Sequence, residues 1–244
     1  MSERPSLTLF AHLCARPEPE LDLAEAALLI AEADAPGLDV AHYVHALDAL
    51  GEGARASVAR AAGDEARITR AVRYVYEDAG FRGNDTDYYD PRNSFLNEVI
   101  DRRTGIPITL AVVLVEVSRR AGVEARGVSF PGHFLVRFDT PRGTIIVDPF
   151  AGRPVSREEL RALHARAGGG ENRDPPAGLL EPATKAQILA RILNNLRGIY
   201  EDRHDEERLR GVVERLQVLA HNEGTQRRRA PFGHPPPRSG GGLN

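Results

Sequence analysis

His133 and Asp148 are the pair in this chain with the plainest capacity for chemistry. They fall on what read as successive strands. In that arrangement a carboxylate holds one imidazole tautomer and leaves the other ring nitrogen as a base. A base of this kind needs a nucleophile, and the neighbouring hydroxyls of Thr109 and Ser118 have nothing evident to activate them. The single cysteine, Cys14, sits far upstream beside Phe10 and Leu13, where a lone cysteine is usually a small buried hydrophobe. The same His and Asp also suit a structural hydrogen bond between strands, because a partly buried histidine needs a partner.

A second cluster gathers Tyr88, Tyr89, Asp90, Arg92, Asn93, Asn97 and Glu98. One reading is a turn at Asp90-Pro91 that leads into a helix capped by Ser94 with Asn97 and Glu98. The other is a groove beside His133, in which Arg92 binds a carboxylate or phosphate and Asn97 a peptide amide. In that groove the binding residues are Arg92, Asn93, Asn97 and His133. His42 and His45 stand three apart on a helix, but no third ligand accompanies them, so no metal and no cofactor is expected.

The elements that must position these groups are legible from periodicity. Pro107 suits a first helical position, since its ring fixes φ and its missing N–H would be unpaired there anyway. From Ile108 to Val117 the chain is almost wholly apolar, which predicts a helix buried in the core, closed by Ser118, Arg119, Arg120 and Gly122. Strands are predicted near Ala125–Phe130, His133–Phe138 and Thr144–Val147, with turns at Pro131-Gly132 and Pro141-Arg142-Gly143. A helix followed by antiparallel strands makes the fold class α+β. Upstream, residues 20–79 carry three helical stripes broken at Gly37, Gly51 to Gly53 and Gly63. Downstream, Ser156 with Glu159 signals a capping box, and two further helices, near 184–203 and 205–220, form an antiparallel pair expected to pack on the core.

The order of these residues resembles transglutaminase-like and papain-like enzymes, which place a Cys at the start of a central helix, a His on a following strand and an Asp on the next. Gly105, Ala111, Arg119, Gly122, His133 and Asp148 match that pattern, and the match puts the nucleophile position at Pro107. Proline has no nucleophile. More closely, NSFLNEVIDRRTGIPITL, FPGHFLVRF and VDPF resemble the SirB-type transglutaminase-like family, over roughly residues 20 to 222. The resemblance implies a helical amino-terminal part (1–80), this core (81–167) and a tetratricopeptide-like helical pair (183–222); composition reads 168–182 as an exposed linker and 223–244 as a disordered tail, where the family pattern would continue with further helices. It implies a non-catalytic or catalytically altered domain that binds a protein or peptide in a regulatory role. Two alternatives stay open. One is a hydrolase or acyl-transferase using His133 and Asp148 with water or a substrate-supplied nucleophile; the other is a helical interaction scaffold.

Composition narrows the partners. A net charge of −3 over 244 residues gives no reason to expect nonspecific nucleic-acid or membrane binding. Hydrophobic content of 41% suffices for a core, and one cysteine excludes an internal disulfide or a multi-cysteine zinc site. The first twenty residues are too short and interrupted in their apolar run for a membrane span or a good secretory signal, so a cytoplasmic protein is expected. Lys185 is the single lysine among 32 basic residues, a bias read as genomic composition.

Overall fold

Helix propensity and apolar spacing build the first part of the molecule. A computed structural model describes residues 5–170 and 173–229, with side chains described from 6 to 170 and from 173 to 222. Four helices open it: α1 (Pro5–Cys14), α2 (Leu23–Glu32), α3 (Val40–Val58) and α4 (Asp64–Arg73), the last running into a π turn at Tyr74–Asp78. Asp22 and Asp39 cap α2 and α3 by accepting from the N–H groups of Glu25 (2.9 Å) and His42 (3.0 Å). Contrary to the expected break, α3 runs straight through Gly51 and Gly53. A Cβ at Gly51 would stand 2.3 Å from Arg120 Cβ, so this glycine lets another element approach instead of ending the helix.

After two-residue strand β1 (Arg82–Gly83) the chain forms a 3-10 turn at Pro91–Ser94, α5 (Leu96–Arg102), β2 (Thr104–Gly105) and α6 (Pro107–Arg120). β1 and β2 pair in parallel. The antiparallel sheet follows in the order β3 (Arg126–Val128), β4 (Leu135–Thr140), β5 (Gly143–Asp148) and β6 (Arg153–Pro154). Then come α7 (Arg157–Arg166), α8 (Lys185–Asp202) and α9 (Glu206–Arg229). The fold is α+β, and the capping box at Ser156 forms with both reciprocal bonds to Glu159, 2.8 and 3.2 Å.

Strand alternation gives the sheet two apolar faces. Val136, Phe138 and Val147 join α6 in the main core, which is continuous with buried residues of α1, α2, α3 and α8. Val128, Phe130, Leu135 and Ile146 face the other way, under Leu160 and Leu163 of α7 and Leu179 and Leu180 beyond it. α6 is buried nearly all round, as its composition predicts, and its one buried acid, Glu116, is held by Arg119 and Arg120.

The segment expected as an exposed linker is partly packed. Its residues Ala177–Leu180 make a 3-10 turn, and Arg137 Nη1 donates to the Leu180 carbonyl at 2.9 Å. Residues 171 and 172 lie outside the described residues. Helix α9 continues to Arg229, past the point where the tail was expected to begin, and 230–244 lie outside the described residues. The helical pair does pack on the core: Leu189, Leu193 and Leu196 belong to the main cluster. Lys185 pins α8 to the α1–α2 connection, its ammonium donating to the carbonyls of Glu18 (3.0 Å) and Leu21 (2.8 Å).

Candidate functional site

The turn Phe130–His133 aims His133 at the end of β5. His133 N–H donates to Phe130 O at 3.1 Å, and Gly132 supplies the positive φ of 71° that the third position of a type II turn requires. His133 therefore precedes β4 instead of lying within it. Asp148 is the last residue of β5, and its side chain is braced from two directions. Oδ2 lies 3.0 Å from His133 Nε2, while Oδ1 accepts from the N–H groups of Phe150 (2.8 Å) and Ala151 (3.1 Å). Burial pushes the Asp148 carboxyl up, but the hydrogen bond and charge of His133 and the two backbone N–H groups outweigh it. The carboxyl is held below its ordinary value. An ionised carboxylate only accepts, so the neutral imidazole carries its proton on Nε2 and offers Nδ1 as the base.

The sequence does not show that one buried hydroxyl stands near Asp148. The Tyr76 hydroxyl, on the π turn, has no hydrogen-bond partner among the described residues. Burial first, and then the charge of Asp148, raises its pKa. Its ring fills the space a Cβ at Gly152 would need, 2.7 Å away, and so fixes the loop that carries the Asp148 brace. Periodicity puts Tyr76 on an apolar helical stripe with Ile68, Val72 and Val75, but not beside Asp148, because that contact spans more than seventy residues of chain.

No thiol serves the pair. Pro107 is the first residue of α6, buried in the position its type predicts. Cys14 ends α1 in the helical core, and burial pushes its thiol up to about 12. The Thr109 hydroxyl is spent on structure, donating to Asn93 O at 2.6 Å and holding the 3-10 turn to the start of α6. Ser118 is wholly buried.

The polar cluster is more tightly built than a simple groove. Asp90 caps the 3-10 turn by accepting from Arg92 N–H at 3.0 Å, and the same carboxylate receives the Arg92 guanidinium, Nη2 at 2.8 Å. Asn93 is fully buried. It donates to Asp87 O (2.7 Å) and Tyr88 O (3.2 Å) and accepts from Asn84 Nδ2 at 3.0 Å, so its side chain ties a loop together. Asn97 is buried on α5, facing the Tyr43 hydroxyl of α3. The expected capping by Ser94 is not formed; Phe95 stands at the start of α5, and the Ser94 hydroxyl is without a partner among the described residues. His133 and Asp148 thus meet, while Arg92 and Asn93 share a turn and Asn97 points elsewhere. His42 and His45 are exposed on α3, and no group of three or more metal-binding side chains occurs among the described residues.

A cavity of about 690 Å³ lies between the two clusters. Arg82, Asn84 and Arg102 form one side, Phe150 and Ala151 the other; none of Arg92, Asn93, Asn97 and His133 lines it. Above it Tyr88 and Tyr89 are 44% and 72% exposed, and the Tyr88 ring stands 6.1 Å from that of Phe150. The arrangement offers an oriented base, an aromatic ledge and a cationic recess close together.

Comparison with known proteins bears on this geometry. A family model described as the transglutaminase-like superfamily matches residues 41–194. A UPF0162 protein of Xylella fastidiosa is 39% identical over 226 residues, spanning 91% of this chain and 80% of that one. A UPF0162 protein of Pseudomonas aeruginosa is 35% identical over 187 residues, 77% of this chain and 67% of its own length. F-box only protein 21 of Mus musculus is 40% identical over 75 residues, which make up 30% of this chain and 12% of that protein. No solved structure matches significantly. No helix among the described residues is long and apolar enough to cross a membrane. With a superfamily model over more than half its length and a relative aligned along most of both chains, this chain belongs to the transglutaminase-like superfamily and, within it, to the UPF0162 family.

Proposed function

We propose that this chain is a SirB-type transglutaminase-like protein that works by binding a protein or peptide, in a regulatory role and without a covalent step. The observation that carries this reading is the start of α6, where Pro107 occupies the position that the resemblance assigns to the nucleophile. A proline there supplies neither a thiol nor a free N–H. Cys14 cannot substitute from where it packs, since a buried, protonated thiol is inert. Tyr88 and Tyr89, with the half-buried Phe150 beside Tyr88, favour recognition, because exposed aromatic side chains beside a recess are typical anchors of protein contacts. The stretch shared with F-box only protein 21 is a small part of a much longer chain, which suits a unit of recognition.

The intact His133–Asp148 pair favours a second reading, a hydrolase or acyl-transferase in which Nδ1 activates water or a substrate-supplied group. Capture of partners by the tagged protein, followed by mass spectrometry, bears on both. Iodoacetamide or Cys14→Ala should leave the captured set unchanged, whereas Tyr89→Ala and His133→Ala should deplete it. Tyr89→Ala should change stability by no more than about 0.5 kcal/mol, as an exposed substitution does. Loss of capture on alkylation with the fold intact overturns the proposal. Retention of every partner by both variants moves the binding surface to α8 and α9.

A further inference from the structure

The cavity between β1, β2 and the Asp148 loop carries more positive charge than its own carboxylates match. Asp90, with its side chain 7% exposed, lies between two guanidinium groups. Arg92 takes it at close range through both Nε (2.9 Å) and Nη2 (2.8 Å). Arg102 is left at the margin: its Nη1 is 3.6 Å from Asp90 Oδ2, beyond hydrogen-bond reach. Its hydrogen bond among the described residues is a 3.5 Å contact from Nη2 to Asn93 Oδ1, and Nη1 is a buried donor with no acceptor. A guanidinium has five N–H donors in a planar fork. Most of this one's capacity is unused, although the side chain is only 27% exposed.

Arg102 lines the cavity together with Arg82, which is exposed and brings a second positive charge; Asp85 is the one carboxylate in the wall. The left-handed Arg103 (φ 55°) ends α5 and turns the chain into β2, which fixes Arg102 at the mouth. Across from it stands the Phe150 ring, admitted because Gly83 has no Cβ: one there would lie 2.7 Å from the ring. Tyr88 extends that apolar wall outward.

We propose that this cavity is a carboxylate receptor, with Arg102 and Arg82 gripping an acidic group whose apolar neighbour rests on Phe150 and Tyr88. Its occupant is an acidic peptide segment. The inference rests on the peptide-binding reading above and deepens it by naming what is recognised. Arg92, the cation most visible in the sequence, is already neutralised by Asp90 and is not the receptor. A planar fork meeting a planar carboxylate in a half-buried site gives two parallel charge-assisted hydrogen bonds, stronger than either alone.

Titration of the isotope-labelled full chain, followed by NMR at the arginine Nε–H and backbone amides, tests this with three probes. They are acetyl-Leu-Phe-Glu with a free terminal carboxyl, its amidated glutamine counterpart, and glutarate. The acidic peptide should move the Arg102 Nε–H and the Ala151 amide saturably, and the amidated peptide should bind on the order of tenfold more weakly or worse. Arg82→Gln, on the surface and safe for folding, should weaken the acidic peptide several-fold; Arg102→Lys should weaken it too while keeping the charge. Equal affinity for the acidic and amidated peptides, or an Arg102 resonance that never moves, overturns the receptor. If the amidated peptide shifts Phe150 and Tyr88 but not Arg102, the receptor fails while the peptide-binding reading stands. If glutarate binds as tightly as the acidic peptide, the receptor stands and the peptide-binding reading fails.

Discussion

Asp148 shows how one side chain gives the site a dependence on pH. Its folded pKa lies below the ordinary value, despite burial, because His133 and two backbone N–H groups stabilise the charged form. A group depressed in the folded state contributes stability above its unfolded pKa, about 3.9, and that contribution is lost as pH falls through the folded value. Asp148→Asn should therefore lower stability at neutral pH and flatten its decline on acidification. Denaturant unfolding at a series of pH values from neutral to acid checks both; parallel pH profiles for the two proteins would mean that the brace seen at Asp148 carries no net linkage. In the wild type, long-range proton–nitrogen NMR should find the neutral His133 ring protonated on Nε2. The pair was readable in the sequence because His133 and Asp148 fall at the two ends of a predicted strand–turn–strand unit and match the order of the transglutaminase-like pattern, although His133 stands in the turn before β4 and not on the strand. Arg102 was not, since an arginine near a helix end looks like ordinary pairing with the helix dipole. Only the prior claim of Arg92 on Asp90 leaves it underused.

At the scale of elements, α3 and α6 meet at a contact whose closeness decides a residue type. Gly51 packs on the stem of Arg120, which continues to Glu116 on its own helix and to Asp48 on α3. Gly51→Ala would gain about 0.8–1 kcal/mol of helix propensity. It would also drive a methyl to 2.3 Å from Arg120 Cβ, an atom too near the backbone to swing aside. Overpacking of this kind costs about 1–3 kcal/mol, so the variant should be net destabilised by up to about 2 kcal/mol in chemical unfolding. A stabilised variant would show that the two helices separate easily. Helices α6, α7 and α8 follow from caps and apolar runs near their observed bounds. The glycines of α3 misled because a break and a close approach use the same residue. Only the partner helix tells them apart.

Across the whole molecule, the main apolar cluster runs from α1 to α9 through α6 and one face of the sheet, with a smaller second cluster between the other face and α7, so the helical pair α8–α9 shares its core with the sheet. Leu193 is fully buried in it, and Leu193→Ala should cost about 2–5 kcal/mol, lowering the thermal transition of the entire protein. Leu216 on α9 is only half-buried, and its truncation should cost distinctly less. Separate transitions for the helical pair and the sheet would contradict the shared core. The helical pair was legible as an amphipathic unit; its buried Arg215, 2% exposed and donating to the Leu29 carbonyl, was not, because an arginine in an apolar stripe reads as a solvated edge.

Recognition without covalent chemistry, in the cavity beside the His133–Asp148 pair, is what the proposal stands on. It is tested most directly by incubating the full chain with the acidic peptide and measuring the intact mass of the protein and of the peptide together, for wild type and His133→Ala. Both masses should stay unchanged in both samples, while the peptide binds reversibly to the wild type. An acyl adduct on the protein, or a cleaved or transferred peptide that His133→Ala fails to produce, would contradict it.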